Sequence, residues 1–261
     1  FLFSAVVPNT KTGINLVQSF NDNSRSQGCH SILDSYLTLK LVAQTLKKWS
    51  KLILISRKLR GIDRFFYPQD SEVWLWPMLR SDWLSSIKGR TSINSCLWIE
   101  LFDAALEEIP QQDNGLYLCE NQGWERAFLH AWRKHGHGKI IGVPHSTVPF
   151  WHLYYFDDPR TINARDNLSQ PLPDQMAVNG PVAWNAFLES DYKPEQLVEV
   201  EALRYLNLTG LSKKRETDSS KSKKHINLIP KKSKYLWLVI ISHCSITNCF
   251  QTLKEPCKFC L

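Results

Sequence analysis

Three groups of residues have types and spacings that suit chemistry on a polar substrate. Glu120-Asn121-Gln122-Gly123-Trp124-Glu125-Arg126 puts two carboxylates and two amides together. The surrounding pattern sets them between a strand and a helix, where free backbone N–H groups attract anions. The same Asn121 or Glu125 could simply cap that helix, and the sequence leaves both readings open. The second group is Pro144-His145-Ser146-Thr147, just past an apolar run. A histidine there suits a general base that activates a hydroxyl, because its charge changes near neutral pH. Ser146 and Thr147 could bond sugar or phosphate oxygens. The third is the aromatic loop 150–160, with Trp151, Tyr155 and Asp157. Rings cover the C–H faces of sugars while carboxylates bond hydroxyls. The alternative is a loop pinned to a sheet by its aromatics. His135 and His137 flank glycines and read as solvated. The terminal cysteines Cys244, Cys249, Cys257 and Cys260 include one CxxC, a weak zinc or redox signal without a second pair on a tight turn, and Asp157-Asp158 is not an isolated metal-binding pair, so no metal is expected.

The elements that hold these groups read clearly from residue 115 onward. Leu116–Cys119 is a short apolar strand and Trp124–His135 a helix, with Gly136 and Gly138 closing it. Lys139–Val143, Gln175–Val178 and Leu197–Val200 are further strands, and Pro181 opens a helix that runs to about Ser190. Strand and helix alternate as in a parallel α/β sheet. Such sheets bind ligands beyond the carboxyl ends of their strands, which is where the first two groups fall. Upstream, helical periodicity spans Ser31–Leu59 and Ser92–Ile109, and another helix is expected after Pro77. Leu52-Ile53-Leu54-Ile55 is either a buried strand or the end of the first of these helices. Residues 1–28 show no periodicity and are expected to be irregular.

The net charge of +7 is a poor sign of nucleic-acid binding. Nine basic residues against two acidic ones lie between Leu211 and Lys234, and outside that stretch the two signs balance. The stretch reads as a solvated linker, with an anchor to anionic lipid or nucleic acid as its sharper reading. A chain with 43% hydrophobic and 11% aromatic residues can bury a core, which excludes a disordered protein. No phosphate-binding glycine loop, nucleophile elbow or zinc-helix motif occurs. Tyr235–Ile241 is a fresh strand after the linker, far too short to cross a membrane.

The stretch GLYLCENQGWERAFLHAWRKHGHGKIIGVPHSTVPFWHLYYFDDPRT, with PLPDQMAVNGPVAWNAFLES and LVEVEALRYL, resembles bacterial surface carbohydrate biosynthesis proteins. SEVWLWPMLRSDWLSSIKG and NSCLWIELFDAAL are similar to the same family, so the resemblance covers about residues 30–206. It implies a glycosyltransferase-B architecture: two Rossmann-like α/β domains facing a cleft, with acceptor on the first and nucleotide-sugar on the second. The implied division is an irregular segment 1–28, a Rossmann-like domain 29–209 with helices flanking a parallel sheet, a basic linker 210–234, and a truncated start of a second α/β domain at 235–261. The matched motifs carry over Glu120, Gln122, Trp124, Glu125 and His145 as cleft residues, with His145, Glu125 or Glu120 as base. Gly180, at a strand-to-helix turn, would let backbone approach a ligand. The tail SHCSITNCFQTLKEPCKFCL departs from the family, so the donor-binding half would be missing and the chain inactive by itself. The implied protein is cytoplasmic, compatible with peripheral contact at the inner membrane. It needs no cofactor beyond a nucleotide-sugar co-substrate, and its partner is a sugar or glycan acceptor rather than nucleic acid. A non-catalytic binding protein of the same pathway, or an inactive gene product, is the alternative.

Overall fold

The computed structural model describes residues 10–22, 30–67, 72–144, 148, 155–156 and 170–200, and the backbone of 235–238. The chain divides into two compact units between Ile109 and Pro110. The single domain expected over 29–209 is corrected accordingly: its first part is helical and its second part is the α/β sheet.

The helical unit is built from α1 (Thr10–Asp22), α2 (Leu39–Ser56), α3 (Trp76–Lys88) and α4 (Arg90–Glu108). Helix α1 replaces the irregular segment expected before residue 28. Asn21 ties its end to the chain beyond, exchanging hydrogen bonds with the backbone of His30 at 2.8 and 3.0 Å. Thr38 caps α2 by accepting from the Leu41 N–H at 3.2 Å, the usual role of threonine at that position. Leu52–Ile55 is the last turn of α2 and not a strand. Helix α4 carries the unit's core on one stripe, Leu97, Leu101, Phe102, Ala105 and Leu106, all buried, and packs against α2 and α3. Two polar links fasten α2 to α4: Trp49 Nε1 donates to Ser92 Oγ at 3.0 Å, and Lys48 Nζ lies 2.5 Å from the buried Glu100 carboxylate.

The α/β unit alternates β1 (Asn114–Cys119), α5 (Gly123–Lys134), β2 (Lys139–Pro144), β3 (Gln175–Val178), α6 (Pro181–Glu189) and β4 (Leu197–Glu199), followed by β5 (Tyr235–Leu238). The order across the sheet is β4-β3-β2-β1-β5, and every pair is parallel. The Rossmann-like α/β expectation therefore holds at the level of an all-parallel sheet with helices. Tyr235–Leu238, expected as the first strand of a second domain, pairs with this sheet beside β1, from Asn114↔Tyr235 to Tyr117↔Leu238. A lone four-residue strand has no core of its own and gains its backbone hydrogen bonds by pairing with β1.

Helix α5 fixes the sheet's packing. It buries Ala127, Phe128, Leu129, Ala131 and Trp132, and Gly136 in the left-handed region (φ 71°) ends it. Trp132 lies against Gly115 of β1, where an added Cβ would come within 2.7 Å of the indole. Gly115→Ala is accordingly expected to lower stability by about 1–3 kcal/mol, the usual range for overpacking a filled core. A urea unfolding curve measures it, and an unchanged midpoint would show that the indole can move aside. His137, which reads as solvated from the sequence, is buried. Its ring stacks on Trp132 at 4.6 Å, and its Nδ1 accepts from the Gln112 N–H at 3.2 Å.

Candidate functional site

Beyond the carboxyl end of β1 the chain turns through Glu120, Asn121 and Gln122 into α5. Asn121 holds a positive φ of 56°, a conformation that asparagine tolerates better than most residues. The Glu125 carboxylate reaches back over this turn. Its Oε1 accepts from the backbone N–H of Gln122 at 2.7 Å and of Glu120 at 2.8 Å. The N-cap donor of Gln122 and the N–H of Glu120 in the turn before it are thus satisfied by one side chain. The capping reading of Glu125 is realised, and one oxygen of its carboxylate is committed to the backbone.

Beside this turn lies a shallow cleft, lined among others by Tyr117, Cys119, Asn121, Glu125, Arg126 and Tyr155, whose floor has room for about one water molecule. Leu172 and Pro173, ahead of β3, and Tyr192, after α6, complete its wall. Arg126 spans the cleft's edge. Its Nη2 donates to Asn121 Oδ1 at 3.2 Å and its Nη1 to the Pro171 carbonyl at 3.1 Å. Under the rim, the Tyr117 hydroxyl donates to Cys119 Sγ at 3.7 Å, and the thiol lies next to the Glu125 carboxylate. Burial controls this line of groups. It raises the Glu125 carboxyl above its usual range, against the pull of the two backbone N–H bonds. It pushes the Cys119 thiol up to about 12, with the neighbouring Glu125 charge adding to the effect. It also raises the Tyr117 phenol well above its ordinary value. Cys119 is therefore a protonated thiol at neutral pH and not a nucleophile. Among the described residues no group of His, Cys, Asp and Glu could hold a metal ion.

The structure brings together part of the predicted set. Asn121, Glu125 and Tyr155 meet at one cleft. Tyr155 is buried, its hydroxyl donating to the Cys119 carbonyl at 3.1 Å and its ring edge-on to Phe187 at 6.4 Å. It pins its loop to the sheet as well as lining the site. Trp124 packs edge-on against Tyr117, 6.4 Å between ring centres. Glu120 and Gln122 contribute their backbone N–H groups to the cap. Gly180 sits at the end of β3 with φ 131° and no atom within 4 Å of an added Cβ. Backbone conformation explains this glycine, and it is not among the residues lining the cleft. His145, Ser146, Thr147, Trp151 and Asp157 lie outside the described residues. Sequence reasoning missed Tyr117, Cys119 and Tyr192 as lining residues. They carry no local signal, because separate elements deliver them to one place. Nor did it single out Arg126, although that residue stood within the first motif.

No protein-family model, curated protein or solved structure matches the chain.

Proposed function

We propose that the chain is the acceptor-side half of a glycosyltransferase-like protein of bacterial surface polysaccharide biosynthesis, acting in the cytoplasm, with the cleft at the end of β1 as its acceptor site. One observation carries the reading. Strands β1 to β4 build the sheet in one direction and β5 is added on the other side of β1. Strand order thus reverses at β1, and parallel α/β sheets bind ligands at the carboxyl ends beside such a reversal. The cleft has the apolar walls and few fixed polar groups of a small-molecule site, and Arg126 and Asn121 offer donors to hydroxyl oxygens. His145 is the base in this reading. Pro144, the residue before it, is in register with Cys119 at the neighbouring strand end. The nucleotide-sugar donor belongs to a second domain of the glycosyltransferase-B kind.

The test is an amide-resolved NMR titration with envelope oligosaccharides. Resonances of Cys119–Arg126 and Tyr155 are expected to shift, and Arg126→Ala to weaken binding about tenfold, the loss of one charge-assisted hydrogen bond. Shifts confined elsewhere would sink the assignment of the acceptor site. The committed Glu125 carboxylate also favours a second reading, glycan binding without transfer. Release of nucleoside diphosphate from a nucleotide-sugar, dependent on both acceptor and His145, separates the two.

A further inference from the structure

Helix α2 has two faces, and the fold uses one of them. Leu41 and Thr45 are buried on that side. From the same side Lys48 and Trp49 hold Glu100 and Ser92 of α4. The opposite side is bare. Leu39, Ala43, Leu46, Ser50 and Ile53 follow one another there at spacings of four, three, four and three. At about 3.6 residues per turn these five make a single row along the helix. Leu39 is 73% exposed and Leu46 45%, and Leu54, beside the row, is 57% exposed. Ala43 and Ser50 are exposed as well, and Ile53 is half-buried. Single exposed apolar residues are ordinary, but leucines repeated along one helix face are not. The alternation of four and three is that of a helix-pairing seam, in which two positions of every heptad meet a facing helix. Small Ala43 and Ser50 alternate with larger Leu39, Leu46 and Ile53, which leaves room for large side chains from that helix.

The charge beside the row says what kind of helix pairs with it. Lys40, Lys47 and Lys51 directly follow the row residues Leu39, Leu46 and Ser50, and all three are exposed. Successive helical residues are about 100° apart, so these lysines stand together on one flank of the row. Helix α2 has four lysines and no acidic residue. Its fourth, Lys48, is the one held by Glu100. In paired helices the residues flanking the seam choose the partner by charge. A flank of lysines selects glutamates and aspartates. A second copy of α2 does not supply them, because it is equally without acid. A lipid surface fits less well. Helices that lie in a membrane interface present a broad apolar face with aromatic anchors, whereas this row is narrow and Trp49, the one aromatic residue of α2, is turned toward α4.

We propose that the Leu39–Ile53 row of α2 docks an amphipathic helix of another protein, one that carries acidic residues beside its own apolar seam. This inference does not rest on the glycan reading, and a cleft that binds nothing would leave it standing. The test is fluorescence anisotropy of the full chain with three synthetic peptides of about three heptads each. One has leucines at the seam and glutamates on the flanks, one has the same composition scrambled, and one has lysines on the flanks. The glutamate peptide is expected to bind, more weakly as salt is added, and the other two are not. Leu46→Gln with Leu54→Gln should weaken that binding about tenfold or more. Circular dichroism and the thermal midpoint should stay unchanged, since both residues are exposed and glutamine suits a helix. Lys47→Glu with Lys51→Glu should abolish binding of the glutamate peptide and confer binding of the lysine peptide, with the Lys48 link to α4 left intact. Equal binding of the scrambled peptide, no binding of the glutamate peptide, or binding that survives both paired changes overturns the proposal. So does self-association of the chain that Leu46→Gln abolishes, which would make the row a contact between copies. Flotation on phosphatidylglycerol vesicles that is lost in the same variant overturns it in favour of a lipid surface.

Discussion

Trp132→Ala is expected to lower the unfolding free energy of the α/β unit by about 3–5 kcal/mol, the range for removing a large aromatic from a packed core. Trp132 is 0% exposed. Its ring touches Phe128 at 5.7 Å and His137 at 4.6 Å between centres, and it fills the space left by the missing side chain of Gly115. Its Nε1 also donates to the Gly138 carbonyl at 2.6 Å, at the corner where α5 passes into β2. The alanine variant removes both the packing and that bond. Trp132→Phe separates them. It keeps most of the ring and leaves the Gly138 carbonyl unpaired, a loss of about 1–3 kcal/mol. Because domains of this size are stable by only about 5–15 kcal/mol, the alanine variant should be partly unfolded at modest urea concentrations. Denaturation followed by circular dichroism measures both. If both variants lost the same amount, the hydrogen bond and not the packing would hold the corner.

This corner also shows what could be read in advance. Leu116–Cys119, Trp124–His135 and Gln175–Val178 were legible as strand, helix and strand because local pattern and burial agree there. Apolar runs sit between glycines, and Pro181 opens the next helix where its missing N–H is harmless. Long-range pairing was not legible. Tyr235–Leu238 has the composition of any buried strand, and nothing local says that its neighbour is β1, more than a hundred residues earlier. The division at Pro110 was hidden for a related reason. A helical stretch followed by an α/β stretch can be one domain or two, and only the pattern of contacts decides. His137 was misread because flanking glycines suggest solvent, whereas here Gly136 turns the chain so that the ring can stack on Trp132. At the site, the Glu120–Arg126 motif was visible, but its chemistry was not. A carboxylate at the third position of a helix is equally suited to a cap and to a base, and the hydrogen bonds alone distinguish them.

Glu125→Ala is expected to destabilise the unit by about 2–3 kcal/mol, since it strips two backbone N–H groups of a charged acceptor. Glu125→Gln keeps an oxygen in place and should lose less. The two differ further in pH dependence. Burial is the largest influence on the Glu125 carboxyl and holds it above its usual value of 4.5 in the fold, despite the bonds from Gln122 and Glu120. The folded state therefore binds this proton more readily than the unfolded chain. The stability linked to it is complete below the unfolded value and is lost as pH rises through the folded one. Glutamine carries no such proton, so the advantage of the parent chain over Glu125→Gln should shrink from acid to neutral pH. An advantage that grows with pH would mean that the backbone bonds outweigh burial. The same pair decides the residue's role. A capping carboxylate predicts that Glu125→Ala lowers the thermal midpoint and that Glu125→Gln retains glycan binding. A catalytic base predicts the reverse pattern: an unchanged midpoint in both variants and transfer lost even in the glutamine variant. With its Oε1 2.7 and 2.8 Å from two backbone nitrogens, the first pattern is the expected one, and the search for a base then turns to His145.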